Sequence, residues 1–215
     1  MSKYSNRDRY LDAASGVLKN RLNITDEAAL ENAEASFVAW RSYELAQKLL
    51  KGKFDLNHLK ALHRYLFGDV YTWAGKLRDI DITKGDNFFA HHSHIESAAK
   101  PIFSELAAEN YLEGLSEAAF SERAAHYLGE INALHPFREG NGRAQREFIS
   151  HLAYKNGYFI EWENVSQSEM IQGSIESFNG DCSKFTTYIR DNLKKIGADN
   201  DKSTDAQTKP KIPRP

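Results

Sequence analysis

Apolar residues recur at steps of three and four along most of this chain, the spacing that places side chains on one face of an α-helix. The pattern is clearest in a run of leucines that begins at Leu56 and ends at Leu66. Asp55 stands just before this run as a candidate N-cap, and Gly68 follows it as a candidate helix terminator. A chain patterned in this way buries its apolar stripes by packing helix against helix, so we expect a mainly α fold.

The same spacing predicts further helices on both sides of the leucine run. Their apolar positions are Leu30, Ala33, Phe37, Trp40 and Tyr43 in the first helix, Ala124, Leu128, Ile131 and Leu134 in the second, and Ala144, Phe148 and Leu152 in the third. Ser121 is the expected N-cap of the second helix, and Pro136 disfavours helical backbone at His135, where that helix should end. A last and more weakly patterned helix is expected over residues 174–193.

Length and composition favour one domain. The chain has 215 residues, enough for a single hydrophobic core, which we place in residues 1–196. Residues 197–215 are rich in Asp, Lys, Thr and Pro, a composition typical of a disordered tail. The formal net charge is −2, which argues against general binding to nucleic acids. No stretch approaches the roughly 20 apolar residues of a membrane helix and the N-terminus lacks a signal peptide, so we expect a cytoplasmic protein that does not bind membranes.

One segment departs from the helical pattern. Residues 79–83 alternate polar and apolar side chains, residues 84–87 are turn-forming, and two phenylalanines follow. This order predicts a short β-hairpin over about residues 79–89. A two-stranded hairpin contributes little stability by itself, so it is either a loop that covers an edge of the core or a functional element.

The stretch from His135 to Arg146 gathers residues suited to phosphate chemistry. A glycine-containing turn that leads into a helix makes an anion site, because the first backbone N–H groups of a helix are unpaired. Arg143 and Arg146 share a helix face and can therefore reach the same anion. Glu139 is placed to hold Mg²⁺ between phosphates. His135 is a candidate general base, because imidazole titrates near neutral pH.

Three histidines, His91, His92 and His94, follow the predicted hairpin and raise the question of a metal site. Histidine is a common zinc ligand, but no cysteine and no second ligand motif lies nearby in the sequence. The favoured interpretation is that these histidines are polar loop residues, and zinc binding is the less favoured alternative.

The run from His135 to Arg146 fills every specified position of the pattern His-x-Phe-x-(Asp/Glu)-Gly-Asn-Gly-Arg-x-x-Arg, and it resembles the signature of the Fic family. The segment from Phe54 to Arg78 resembles the region that leads into the flap hairpin of that family. The likeness covers roughly residues 5–193. It implies the Fic fold, a helical bundle with a short β-hairpin flap next to the active-site loop.

The resemblance implies a protein adenylyltransferase, which moves the AMP group of ATP to a Ser, Thr or Tyr hydroxyl of a target protein and releases pyrophosphate. By the same likeness, His135 would deprotonate the hydroxyl, Glu139 would hold Mg²⁺ and Phe137 would anchor the loop. The ATP phosphates would be bound by Gly140, Asn141, Gly142, Arg143 and Arg146, with Asn141 at the α-phosphate and the arginines at the β- and γ-phosphates. The target would dock on the flap through Ile80, Asp81, Ile82, Thr83, Lys84, Gly85 and Phe88 by adding a strand to its edge.

Position 142 separates two chemistries among proteins of this kind. The related Doc kinases carry Lys where this chain has Gly142, and that Lys goes with reversed nucleotide binding and phosphorylation. The resemblance therefore favours adenylylation. Two alternatives stay open, a non-catalytic nucleotide-binding interaction module and a Fic enzyme that transfers a different phosphate-containing group.

Many Fic proteins carry an inhibitory helix with the pattern Ser/Thr-x-x-x-Glu-Gly/Asn, whose glutamate pairs with the second arginine of the signature. The Glu-Gly and Glu-Asn pairs of this chain begin at Glu31, Glu109, Glu113, Glu139 and Glu163, and none has Ser or Thr four residues earlier. The chain thus resembles the class I bacterial toxins, which a separate antitoxin protein inhibits in trans by placing a glutamate on the arginine equivalent to Arg146. Short members of that class adenylylate the ATPase subunits of DNA gyrase and topoisomerase IV, so we expect these type II topoisomerases as targets.

Overall fold

The computed structural model describes residues 8–84 and 87–197 of the chain. The α-helices are, in chain order, α1 (Glu27–Gln47), α2 (Leu56–Phe67), α3 (Ile95–Ala108), α4 (Glu117–Leu134), α5 (Asn141–Lys155), α6 (Gln167–Phe178) and α7 (Ser183–Asn192). The strands are β1 (Thr83–Lys84), β2 (Asn87–Phe88), β3 (Tyr158–Ile160) and β4 (Leu193–Lys195), which pair antiparallel as β1 with β2 and β3 with β4. The predicted mainly α fold is confirmed. The tail predicted from residue 197 onward lies, except for Gly197 itself, outside the described residues.

Helices α2, α4 and α5 form the centre of the molecule. Helix α2 packs against α5, and α4 packs against both α5 and α7. The predicted leucine stripe of α2 is fully buried at Leu59, Leu62 and Leu66. The carboxylate of Asp55 accepts a hydrogen bond from the backbone N–H of His58 at 2.8 Å, so the predicted N-cap of α2 is confirmed. None of the described helices is long and apolar enough to cross a membrane.

Helix α4 ends where the sequence predicted but begins earlier. Its C-cap is His135, whose backbone is left-handed, with φ 43° and ψ 61°. Its N-cap is Ser116, and the predicted N-cap Ser121 is wrong. Ser121 lies inside the helix, where its hydroxyl donates a hydrogen bond to the carbonyl of Glu117 at 2.7 Å. The earlier start has a physical reason, because the added turn buries Phe120 completely.

Helix α1 forms as predicted, but it buries a different face. Phe37, Trp40 and Tyr43, which were expected in the core, are 37%, 53% and 60% exposed. The buried positions are Leu30, Glu34, Val38 and Leu45. The prediction was wrong because the buried face includes a carboxylate, and hydrophobic periodicity counts every charged residue as surface.

The predicted last helix over residues 174–193 is wrong, because the structure has two shorter helices there. Helix α6 ends at Phe178, and Gly180 turns the chain with a φ of 90°. Asp181 then accepts a hydrogen bond from the backbone N–H of Ser183 at the start of α7. Strand β4 follows at Leu193 and pairs with β3, and three-residue strands carry too little alternation to be predicted from sequence.

Gly180→Ala should lower the free energy of unfolding by about 1 kcal/mol, because left-handed backbone is unfavourable for residues with a side chain. An added Cβ would meet no atom within 4 Å, so the loss would come from backbone conformation alone. Gly142→Ala is the matched control, since its Cβ also enters open space while its backbone is not left-handed. Denaturant unfolding of both variants is the measurement, and equal losses of stability would contradict this account.

Candidate functional site

His63 on α2 supports the turn between α4 and α5 from its buried side. Its Nε2 lies 2.9 Å from the carbonyl oxygen of Glu139, and its Nδ1 lies 2.9 Å from the backbone nitrogen of Gly75. The N–H of Gly75 can only donate, so Nδ1 accepts and Nε2–H donates, as in neutral imidazole. The ring also stacks on Phe137, with the centroids 3.8 Å apart. Sequence analysis missed His63, although it lies among the buried leucines of α2.

The turn itself is closed by Asn141, the first residue of α5. Its Oδ1 accepts a hydrogen bond from the backbone N–H of Phe137 at 2.8 Å, and its Nδ2 donates to the carbonyl of the same residue at 2.7 Å. Gly140 precedes it with a φ of 79°, and a Cβ there would lie 2.3 Å from the Phe67 ring. The Asn141 amide therefore holds the turn in shape, and its predicted contact with the α-phosphate stays a prediction.

The start of α5 opens into a cavity of about 820 Å³. The motif residues that line it are Glu139, Gly140, Asn141, Gly142, Arg143 and Arg146. Its other walls include the first half of α1 and residues around Trp162. The structure thus brings the predicted phosphate ligands and the predicted Mg²⁺ ligand to one cavity, whose size is in the range of small-molecule sites.

Arg143 is held at the cavity wall by a carboxylate that sequence analysis missed. Its Nη2 lies 2.5 Å from Oε1 of the buried Glu34 on α1 and 3.8 Å from Oε1 of Glu139. Its guanidinium carbon also lies 4.8 Å from the centre of the Phe67 ring. These contacts fix the direction of the guanidinium before any phosphate binds, which reduces the entropy lost on binding.

Arg146 has a different environment from Arg143. It is half-buried, and burial lowers the pKa of its guanidinium, with the nearby charge of Arg143 as a further cause. Within residues 8–84 and 87–197, no carboxylate oxygen lies within 4.0 Å of it. A partly desolvated arginine without an acidic partner binds an anion strongly, because less water has to be displaced.

Glu139 provides an acidic oxygen at the same cavity. Its Oε1 accepts a hydrogen bond from the backbone N–H of Gly140 at 3.0 Å, and a third of its side chain is exposed. Mg²⁺ commonly takes one or two carboxylates and completes its coordination with phosphate oxygens and water. A partly exposed carboxylate beside the predicted phosphate ligands fits that role.

His135 lies at the other end of the turn, beneath the flap. Its ring stacks on that of Phe89, with the centroids 3.8 Å apart and the planes 14° from parallel. Its carbonyl oxygen accepts a hydrogen bond from Nε of Arg78 at 2.8 Å. Among the described residues that line the cavity, His135 does not occur. The predicted base is therefore positioned by contacts with Phe89 and Arg78 of the flap region rather than by the residues that line the cavity.

A single guanidinium, that of Arg78, joins both ends of the flap to this turn. Besides the His135 carbonyl, it donates hydrogen bonds to the carbonyl of Ile80 at 2.8 Å and to the carbonyl of Ala90. The backbone N–H of Arg78 also donates to the carbonyl of Pro136 at 2.9 Å. The side chain is fully buried, and burial lowers the pKa of the guanidinium. Sequence analysis did not identify this residue as part of the site.

The flap is a shorter hairpin than predicted. Only Thr83 and Lys84 pair with Asn87 and Phe88 in antiparallel register, and Gly85 lies outside the described residues. Residues 79–82 are not paired as a strand, because the Ile80 carbonyl bonds Arg78 and the Asp81 carboxylate bonds the residues after the hairpin. Of the predicted docking residues, Asp81 and Thr83 are exposed, and Ile80 and Ile82 are half-buried.

Several known proteins are similar to this chain in sequence. The model of the Fic/DOC family matches residues 53–153. The chain is 50% identical over 194 residues to the protein adenylyltransferase VbhT of Bartonella schoenbuchensis, covering 90% of this chain but only 41% of that protein. It is 40% identical over 176 residues to the probable protein adenylyltransferase Fic of Escherichia coli, covering 81% of this chain and 86% of that protein.

The fold is also similar to that of a solved structure. The crystal structure of the BepC protein of Bartonella tribocorum, a VirB-translocated effector with bound AMPPNP, has a TM-score of 0.81 to this chain. The two are 26% identical, and the match covers 89% of this chain and 99% of that one.

The stability of the protein should fall as the pH decreases, partly through His63. Burial lowers the pKa of His63 to about 4, whereas an exposed histidine titrates near 6.5. Between these two pKa values the histidine binds a proton in the unfolded chain but not in the folded one. The contribution of His63 to the free energy of unfolding should therefore fall by about 2 kcal/mol from pH 7 to pH 5. Denaturant unfolding at several pH values measures this loss.

His63→Gln is the variant that isolates this group, because Gln keeps a donor for the Glu139 carbonyl but does not titrate. Burial also lowers the pKa of His58 to about 4, so the variant should keep part of the pH dependence. The loss between pH 7 and pH 5 should be smaller than in the wild-type protein. Identical pH profiles for the two proteins would show that His63 is not the group involved.

Proposed function

The chain belongs to the Fic/DOC family, and we propose that it is a protein adenylyltransferase that moves AMP from ATP to a hydroxyl side chain of a target protein. The proposal rests on one observation above all. A helix N-terminus, two arginines and the partly exposed carboxylate of Glu139 meet at a cavity of about 820 Å³, at one end of a turn whose other end is a histidine under a hairpin. The relatives VbhT and Fic, which carry the name adenylyltransferase, support the same activity.

In the proposed reaction, His135 takes the proton of a Ser, Thr or Tyr hydroxyl of the target. The hydroxyl oxygen then attacks the α-phosphorus of ATP, the bond from that phosphorus to the bridging oxygen breaks, and pyrophosphate leaves. The N–H groups at the start of α5, together with Arg143 and Arg146, stabilise the negative charge on the phosphates. A Mg²⁺ ion held by Glu139 would neutralise part of the same charge.

The flap gives the proposed target a place to bind. Among the described residues it is a two-stranded sheet, so each strand has an outer edge at which a segment of the target could pair as an added strand. Phe89 follows the second strand and stacks on His135. A segment of the target that pairs with the flap would therefore present its hydroxyl close to the proposed base.

Gly142 supports AMP transfer over transfer of the terminal phosphate. A Cβ at this position would meet no atom within 4 Å, so the start of α5 is open at the point where a Doc-like protein has Lys. Gly142 is also exposed, which leaves its backbone accessible to a phosphate group. We propose that the α-phosphate rather than the γ-phosphate lies next to the target hydroxyl.

Incubation with radiolabelled ATP and Mg²⁺ tests the proposed reaction. Label from α-³²P-ATP should appear on a protein of a bacterial lysate or on the chain itself, and label from γ-³²P-ATP should not. His135→Ala should reduce labelling by roughly 10²-fold or more, because it removes the general base. Glu169→Gln, at an exposed position of α6 that does not line the cavity, is the control and should label normally.

Each other outcome of this experiment favours one alternative. Labelling from γ-³²P-ATP would identify a kinase. Binding of ATP without labelling, unchanged in His135→Ala, would identify a non-catalytic nucleotide-binding module. Labelling from a different phosphate-containing donor would identify transfer of another group.

We also propose that the chain acts as a toxin in the cytoplasm and is inhibited by a separate antitoxin protein. The support is the environment of Arg146, which has no carboxylate within 4.0 Å in the part of the chain that the structure describes. A glutamate supplied by a partner could pair with this arginine and compete with ATP phosphate for the same donors. The resemblance to class I Fic toxins makes the ATPase subunits of type II topoisomerases the proposed targets.

Expression of the chain alone in a bacterial host should stop growth, and His135→Ala should restore it. Mass spectrometry of the arrested cells should find an added AMP on the ATPase subunit of DNA gyrase or topoisomerase IV. AMP found only on other proteins would contradict the target but not the activity. Normal growth with the active enzyme present at a high level would contradict the toxin role.

A further inference from the structure

The fold brings three metal-ligand side chains together at the base of the flap. Asp81 precedes the hairpin, and His91 and His92 follow it. Oδ1 of Asp81 lies 3.0 Å from Nδ1 of His92, and Oδ2 lies 3.1 Å from Nε2 of His91. One ligand atom from each residue lies within 4.8 Å of the other two. The sequence showed three neighbouring histidines but did not indicate Asp81, because this residue lies ten positions before His91.

The surroundings of each ligand fix its direction. Nδ1 of His91 lies 2.8 Å from the Ser93 hydroxyl, so the opposite ring nitrogen, Nε2, is the one turned to Asp81. The backbone N–H of His92 donates to Asp81 Oδ1 at 2.8 Å, which holds the carboxylate in place. Hydrogen bonds of this kind orient the ligands of known metal sites and select the histidine tautomer.

We propose that Asp81, His91 and His92 bind one divalent transition-metal ion of the zinc type. Two imidazole nitrogens and one carboxylate oxygen are a ligand set that Zn²⁺, Co²⁺ and Ni²⁺ accept and that Mg²⁺ does not favour. Ligands about 2.0 Å from a tetrahedral ion lie about 3.3 Å apart. The two histidine nitrogens lie 3.0 and 3.1 Å from the two different oxygens of Asp81, and one ligand atom of each residue lies within 4.8 Å of the other two, so the three groups are near that spacing. All three side chains are at least a third exposed, so water can fill the fourth position.

The proposed ion would join the two ends of the flap from outside, where Arg78 joins them from inside. Nη1 of Arg78 lies 3.8 Å from Asp81 Oδ1, and this positive charge opposes the ion. The affinity should therefore be moderate, in the micromolar range rather than the nanomolar range of closed zinc sites. The three ligands do not line the cavity of Glu139, so this site is distinct from the proposed Mg²⁺ site.

Isothermal titration calorimetry of the full chain with ZnCl₂, without nucleotide, tests the proposal. The wild-type protein should bind one equivalent. Asp81→Asn and His91→Gln should each weaken binding at least tenfold, because each removes one of three ligands. His94→Gln is the matched control, since it removes a neighbouring exposed histidine that is outside the cluster, and it should bind as the wild type does.

A second measurement reports the geometry of the site. Co²⁺ bound to the wild-type protein should give the intense visible absorption bands of four-coordinate cobalt, and these should be absent in His92→Gln. Zn²⁺ should also raise the melting temperature of the wild type and of His94→Gln, but not that of His91→Gln. Absence of stoichiometric binding, or equal loss in the His94→Gln control, would overturn the site. None of the three measurements uses ATP, so the result is independent of the proposed transferase activity.

Discussion

The buried guanidinium of Arg78 is the contact on which the flap side of the site depends. It donates to the carbonyls of His135, Ile80 and Ala90, and so it joins the end of α4 to both ends of the hairpin. Hydrogen bonds from a charged donor contribute about 1.5–3 kcal/mol each, which offsets the loss of hydration that burial of the charge causes. The bond to the His135 carbonyl supports the left-handed conformation of this residue, which is uncommon for residues with a side chain.

The cavity side of the site, where the proposed phosphate ligands lie, is organised by a second set of contacts. Its two arginines differ in their acidic partners. Glu34 pairs with Arg143 and fixes its direction, whereas no carboxylate oxygen of the described residues lies within 4.0 Å of Arg146, on which Glu147 acts only at longer range. An arginine that is already paired must exchange one anion for another when phosphate binds, and this limits the gain in affinity. Arg146 undergoes no such exchange. It is therefore the arginine through which a partner carboxylate would affect ATP binding most.

The sequence predicted the parts of the site that lie close together along the chain. The motif from His135 to Arg146 and the helices on either side of it could be identified because their spacing is local. Three residues that shape the site, His63, Glu34 and Arg78, were missed because their partners lie far away in the chain. Each is a polar group in the core, and a pattern that assigns polar residues to the surface cannot place it. For the same reason, the hydrophobic pattern assigned the wrong face of α1 to the core.

The shortness of the flap explains why these long-range contacts matter. Two residue pairs of β-structure contribute too little to fix the hairpin, so side chains determine its position. Arg78 fixes its ends from inside, Phe89 fixes it against His135, and Asp81 fixes it to the following histidines. Because the Phe89 and His135 rings are stacked, any ligand that tightens the flap ends also restricts the ring that acts as the proposed base. A metal ion at Asp81 would thus act on the rate of hydroxyl deprotonation rather than on the binding of ATP.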